Sequence, residues 1–234
     1  MFTYKETEQK QFTFEQFNSK LEKEYDYLLK YFELNSSRIE STINELRNSL
    51  DEEIEADSSN EVLINEFYES QLLSIVSFYY HSSITLVHSF IENQLLKLCK
   101  EIQDKTMSKF DVSLMGGRDY IKSSLDYLKL TTRLDDEILN RHKPRLKQFQ
   151  ILRNKIIHDN SSYFDDTEKR KLQNAFSDKI EYFEEEQKFY LKSDELPKEY
   201  LSKGIGLFRE IFNYLRSLDF IVPTIESESA ELPF

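Results

Sequence analysis

Glycine and proline occur only four times each in this chain of 234 residues, and neither occurs between Glu61 and Lys105. Sandwiches, barrels and doubly wound sheets reverse direction roughly every 8–12 residues and need turn formers to do it. So few of them confine the chain to long helices, and the expected class is all-α, an up-and-down helical bundle with additional N-terminal helices. A core is available, because 39% of residues are apolar, among them 18 Phe and 14 Tyr. The lack of a glycine-rich loop removes dinucleotide-binding and P-loop readings.

Apolar spacing predicts seven helical segments. The first runs from about Thr13 to Leu34, and Asn35-Ser36-Ser37 offers a break and a new N-cap. A second runs from Arg38 to about Ala56, with Asp57-Ser58-Ser59-Asn60 as the next joint. The third, Glu61 to about Lys105, is the spine of the protein. It would be about 65 Å long at 1.5 Å per residue, with a bend or break near Phe78 to Ser83. Phe78, Tyr79 and Tyr80 are expected in the core. A loop containing Gly116-Gly117 precedes a short helix, Arg118 to Thr131. Pro144 suits a first helical turn and marks the start of the fifth helix. Asp159-Asn160-Ser161-Ser162 ends it, Asp165 to about Lys192 reads as an acidic helix, and Leu196 to Phe220 closes the fold. Gly204 and Gly206 in that last helix suit the close approach of a neighbour. Residues 1–59 are read as an N-terminal extension, 60–222 as the main helical domain and 223–234 as an acidic tail.

Cys99 is the only cysteine, which excludes an intramolecular disulfide and a cysteine zinc site. It is expected to be a small buried apolar residue in a reducing, cytoplasmic setting. Met1 to Lys10 is too polar for a signal peptide, and no apolar run is long enough for a membrane span. The formal charge of −12 argues against indiscriminate nucleic-acid binding.

Against that acidity, Arg141 to His158 holds six cations, Arg141, Lys143, Arg145, Lys147, Arg153 and Lys155, and no Asp or Glu. Within it, Arg153-Asn154-Lys155-Ile156-Ile157-His158 sits on an apolar-periodic helix. Residues four apart lie about 40° apart around a helix, so Asn154 and His158 share a face, and the long Arg153 side chain sweeps toward it. His158 falls near the helix C-terminus, where the macrodipole favours positive charge. On the spine, His81, Thr85, His88 and Glu92 line one side at spacings of four, three and four. Buried polar groups need partners, and the helix carrying Arg153 is one source. Glu92 is a candidate to pair with Arg153.

These residues resemble the Arg, polar residue, spacer, His motif of HEPN domains, all-α ribonuclease and nucleotide-binding domains of toxins, abortive-infection proteins and other antiviral systems. His81 to Lys100 with Glu92 resembles the family's long core helix, and the likeness covers roughly Asn60 to Phe220. It implies metal-independent RNA cleavage at a homodimer interface, with no cofactor. A ribose 2′-hydroxyl would attack the adjacent phosphate, with Arg153, Asn154 and His158 as catalytic residues. Glu92 and His88 would support them, and Arg141, His142, Lys143, Arg145, Lys147 and Lys155 would grip the RNA. An antitoxin or sensor protein is a candidate partner. Asp159 after the His departs from many relatives. The alternative is a HEPN-like module without catalysis that binds RNA, a nucleotide or a protein.

Each feature also has a plainer explanation. Arg153 and His158 could satisfy helix-end carbonyls, and the basic run could be a solvated face paired with acidic helices. His81 and His88 suit structural roles better than metal ligation, and His142 beside Lys143 reads as an exposed positive edge.

Overall fold

Residues 61–106 put an apolar side chain on one stripe every three or four positions with nothing to break the helix. They form one continuous α-helix in the computed structural model, which describes residues 14–117, 119–184 and 187–217. The expectations for Met1 to Lys10, Arg118 and the tail 223–234 lie outside the described residues. In chain order the elements are α1 (Phe14–Ala56), α2 (Glu61–Thr106), α3 (Tyr120–Thr132), α4 (Asp136–His158), α5 (Asp166–Phe176), β1 (Ile180–Phe183), β2 (Lys188–Leu191) and α6 (Glu195–Ser217). The fold is all-α, with one two-stranded antiparallel hairpin pairing Ile180 with Leu191 and Phe183 with Lys188. No helix among the described residues is long and apolar enough to cross a membrane.

The second half of α2 is the axis on which α1, α3, α4, α6 and β2 pack. Ile84, Val87, Ile91, Leu95, Leu98 and Ile102 are fully buried there, and each such side chain contributes about 1.5–3 kcal/mol. Phe17, Leu21 and Phe32 of α1 join the same core. Where α6 crosses α2, a Cβ on Gly204 would lie 2.5 Å from Ile91 Cδ1, so any side chain there would force the buried Ile91 to move. Cys99 is buried, with its Sγ 3.6 Å from the Ser124 carbonyl and its thiol pKa pushed up to about 12 by burial.

From residue 33 to residue 76 nothing is buried. Over this stretch α1 and α2 run as an antiparallel two-helix arm of about 33 Å, turning through a short 3₁₀ segment at Ser58–Asn60. Ile43, Leu46 and Leu50 of α1 and Tyr68 and Leu72 of α2 form a half-buried seam. The arm carries eleven carboxylates against Arg38 and Arg47.

Five expectations are corrected. Asn35-Ser36-Ser37 does not break α1, because Asn35 donates to the Tyr31 carbonyl and Ser36 to Asp194, so both side chains are satisfied without leaving the helix. The spine has no break at Phe78 to Ser83, but Phe78 is 74% exposed while Tyr80 is buried. Helix α4 starts at Asp136 and carries Pro144 in its interior, since Asp135 caps it by accepting from the Glu137 amide. The stretch after Phe176 is not helical: Ser177 has φ 47°, and alternate burial of Phe189 and Leu191 makes a strand.

Candidate functional site

Helix α4 buries Leu139, His142, Leu146, Phe149 and Leu152 at spacings of three and four. That face fixes the opposite one, where Ile151, Asn154, Ile157 and His158 are exposed. The helix stops sharply. The Asp159 and Ser161 amides both donate to the Lys155 carbonyl, and Asn160 and Ser161 take left-handed φ values of 49° and 59°. His158 is therefore the last residue of α4, on the surface, with Asn154 one turn before it.

Arg153 lies between the buried and exposed faces. Its Nη1 donates to Asn154 Oδ1 at 3.1 Å, while its Nε is shielded from solvent and has no hydrogen-bond partner. No ion pair with a carboxylate is formed by Arg153 among the described residues. Its charge still reaches the buried network described below: the Tyr200 hydroxyl pKa is raised, first by burial and then by Glu92, with Arg153 acting in the opposite direction.

The rest of the basic run is in contact with carboxylates. Arg141 pairs with Glu137 and Glu210, both at 3.0 Å. Lys143 meets Asp126 at 3.0 Å, and Lys147 meets Asp119 at 3.4 Å. Arg145 binds Glu199 at 2.6 Å, donates to the Ala175 carbonyl and covers the Phe149 and Phe176 rings, so it holds α4, α5 and α6 together. Lys155 contacts Asp159 and Glu168, both at 2.8 Å, which hold its ammonium in the charged form against the cost of burial. His142 is not an exposed edge. It is buried under α6 with Nε2 3.1 Å from Glu210 Oε1, a close contact that does not have hydrogen-bond geometry.

The polar line on α2 finds its partners mainly outside α4. Tyr200 of α6, stacked on Phe149, has its hydroxyl 2.6 Å from His88 Nδ1, and His88 Nε2 lies 3.1 Å from Glu92. The neutral tautomer consistent with these distances has Tyr200 donating to Nδ1 and the proton on Nε2, which contacts Glu92 without forming a hydrogen bond. Glu92 thus contacts His88, and no Glu92–Arg153 ion pair forms among the described residues. His81 lies between the hydroxyls of Ser77 and Ser161, each 3.1 Å from Nδ1, and burial drives its pKa down to about 4. The Thr85 hydroxyl donates to the His81 carbonyl of its own helix.

Sequence reasoning missed Tyr200 and Ser161. Tyr200 carried one readable signal: it stands one turn before Gly204, a glycine suited to the close approach of a neighbouring helix, so it shares that face. Ser161 carried none, because its reach to His81 depends on two consecutive left-handed residues. No family model, curated protein or solved structure matches this chain.

Proposed function

We propose that this chain is a HEPN-type, metal-independent endoribonuclease of a bacterial defence or toxin system, cleaving RNA at a composite homodimer site. The observation that carries the reading is the state of Arg153: it has no carboxylate partner among the described residues, it touches Asn154, and it shares the end of α4 with exposed His158. A guanidinium left without a carboxylate in an acidic protein suits a ligand that brings its own negative charge, and a phosphodiester matches its planar donor fork.

In the reaction, the ribose 2′-oxygen forms a bond to phosphorus and the bond from phosphorus to the 5′-oxygen breaks. His158 of one copy accepts the 2′-hydroxyl proton, and the second copy's histidine delivers a proton to the departing 5′-oxygen. Arg153 takes the growing charge on the non-bridging oxygens, and Asn154 holds the Arg153 fork. Ile151 and Ile157, 46% and 42% exposed beside Asn154 and His158, supply apolar surface for the pairing of two copies.

The test is cleavage of total RNA by the full chain in excess EDTA, beside Arg153→Ala and His158→Ala. The expected result is 2′,3′-cyclic phosphate ends from the parent and a loss of about 100-fold or more in each variant. Equal cleavage by parent and variants removes the assignment. One observation favours a second reading: Arg141, Lys143, Arg145, Lys147 and Lys155 are already engaged by carboxylates, which leaves little free positive field for an RNA backbone. In that reading the fold is a binding module for RNA, a nucleotide or a protein, and ligand capture through Arg153 without cleavage is the result that selects it.

A further inference from the structure

Between the first turns of α3 and the middle of α4 the surface opens into a cleft of about 350 Å³. Its floor is apolar, made by Ile121 and Leu125 from α3 and Pro144 and Leu146 from α4. The interior proline exposes its ring here in place of a longer side chain. Three ammonium groups, Lys122, Lys143 and Lys147, line the same cleft.

The charges around this cleft do not balance. Lys122 and Lys143 share one carboxylate, Asp126, at 2.8 and 3.0 Å. Lys147 donates to Gln150 Oε1 at 2.8 Å, and the carboxylate it reaches is Asp119, at the longer distance of 3.4 Å, whose other oxygen accepts from the Lys122 amide as the N-cap of α3. Among the described residues three cations thus face two carboxylates, and Lys147, 61% exposed, is the one of the three with no carboxylate oxygen within 3.0 Å. Small-molecule sites have this form: an apolar cleft of about 300–1,000 Å³ with a few placed polar groups that fix orientation.

We propose that the cleft binds a small soluble monoanion with an apolar body, a medium-chain carboxylate being the simplest example. The apolar part lies on Ile121, Leu125, Pro144 and Leu146. The carboxylate meets Lys147, displacing its long contact with Asp119, and Lys143 adds a second donor. A dianion exceeds the surplus of one positive charge, and an uncharged amphiphile leaves that surplus unmet. The proposal does not involve the residues assigned to cleavage, because neither Arg153 nor His158 lines the cleft.

The experiment is calorimetric titration of the full chain with octanoate and, in parallel, 1-octanol. One site for octanoate with a Kd below about 1 mM is expected, with octanol at least about tenfold weaker. Lys147→Glu reverses the charge at an exposed position and should weaken octanoate about tenfold or more. Gln150→Trp, at the cleft wall, should remove binding of both by filling the space, with circular dichroism confirming that each variant is folded. Octanoate affinity unchanged in both variants, or no binding in the millimolar range, overturns the proposal. So does octanol binding as tightly as octanoate. Cosedimentation with anionic vesicles in the absence of octanoate binding also overturns it, in favour of a lipid surface.

Discussion

Arg153 and Lys155 stand two positions apart on α4 and end in opposite electrostatic states. Lys155 is held by Asp159 and Glu168, while Arg153 meets only Asn154 among the described residues. Sequence spacing located both residues and their helix but could not tell them apart, because Glu168 arrives from α5 after a sharp chain reversal. The Tyr200 hydroxyl is equally exact in its placement. Tyr200→Phe removes the donor to His88 Nδ1 and leaves a buried acceptor, which should cost about 1–3 kcal/mol in chemical denaturation. His81 makes stability depend on pH. Burial lowers its pKa from 6.5 to about 4, so the unfolded chain binds the proton first as pH falls. Its contribution is complete above pH 6.5 and is lost progressively between 6.5 and about 4, on the order of 3 kcal/mol in all. Urea midpoints measured across that window should fall in the parent and fall less in His81→Gln.

At the scale of elements, helix identity was legible wherever apolar residues recur at three and four positions, as in α2 and α6. Helix ends were less so, because local chemistry competes with packing. Asn35-Ser36-Ser37 has the composition of a cap, yet its side chains bond to Tyr31 and Asp194 and the helix runs on. Pro144 looks like a helix start, yet Leu139 and His142 before it are buried, and their packing offsets the lost backbone hydrogen bond. The hairpin after Phe176 was read as helix because four-residue strands give too short an alternation to separate the two periods. The crossing of α6 over α2 at Gly204 provides the sharpest test. Gly204→Ala places a methyl 2.5 Å from Ile91 Cδ1 in a fully buried contact. It should destabilise the fold by about 1–3 kcal/mol despite alanine's better helix propensity, read as a lower midpoint with an unchanged denaturant slope.

Across the whole molecule, burial divides the chain unevenly. The body holds a shared core, and the arm, residues 33–76, holds only a half-buried seam. Local stability follows burial, so arm amides should exchange with solvent about 100-fold faster or more than those of α2 between Ile84 and Ile102. Mass spectrometry of exchanged peptides reads this directly, and uniform protection along α2 would contradict it. The same division governs how charged molecules arrive. Helix α4 ends beside His81, through the Ser161 contact, so Arg153 and His158 lie toward the base of the arm and its carboxylates. At about 0.01 M salt the Debye length of about 30 Å spans the arm, and at 0.15 M the length of about 8 Å leaves only the nearest charges felt. Added salt therefore lifts a repulsive barrier, and a polyanion should meet this end of the molecule faster as ionic strength rises, against the usual trend for proteins that capture phosphates.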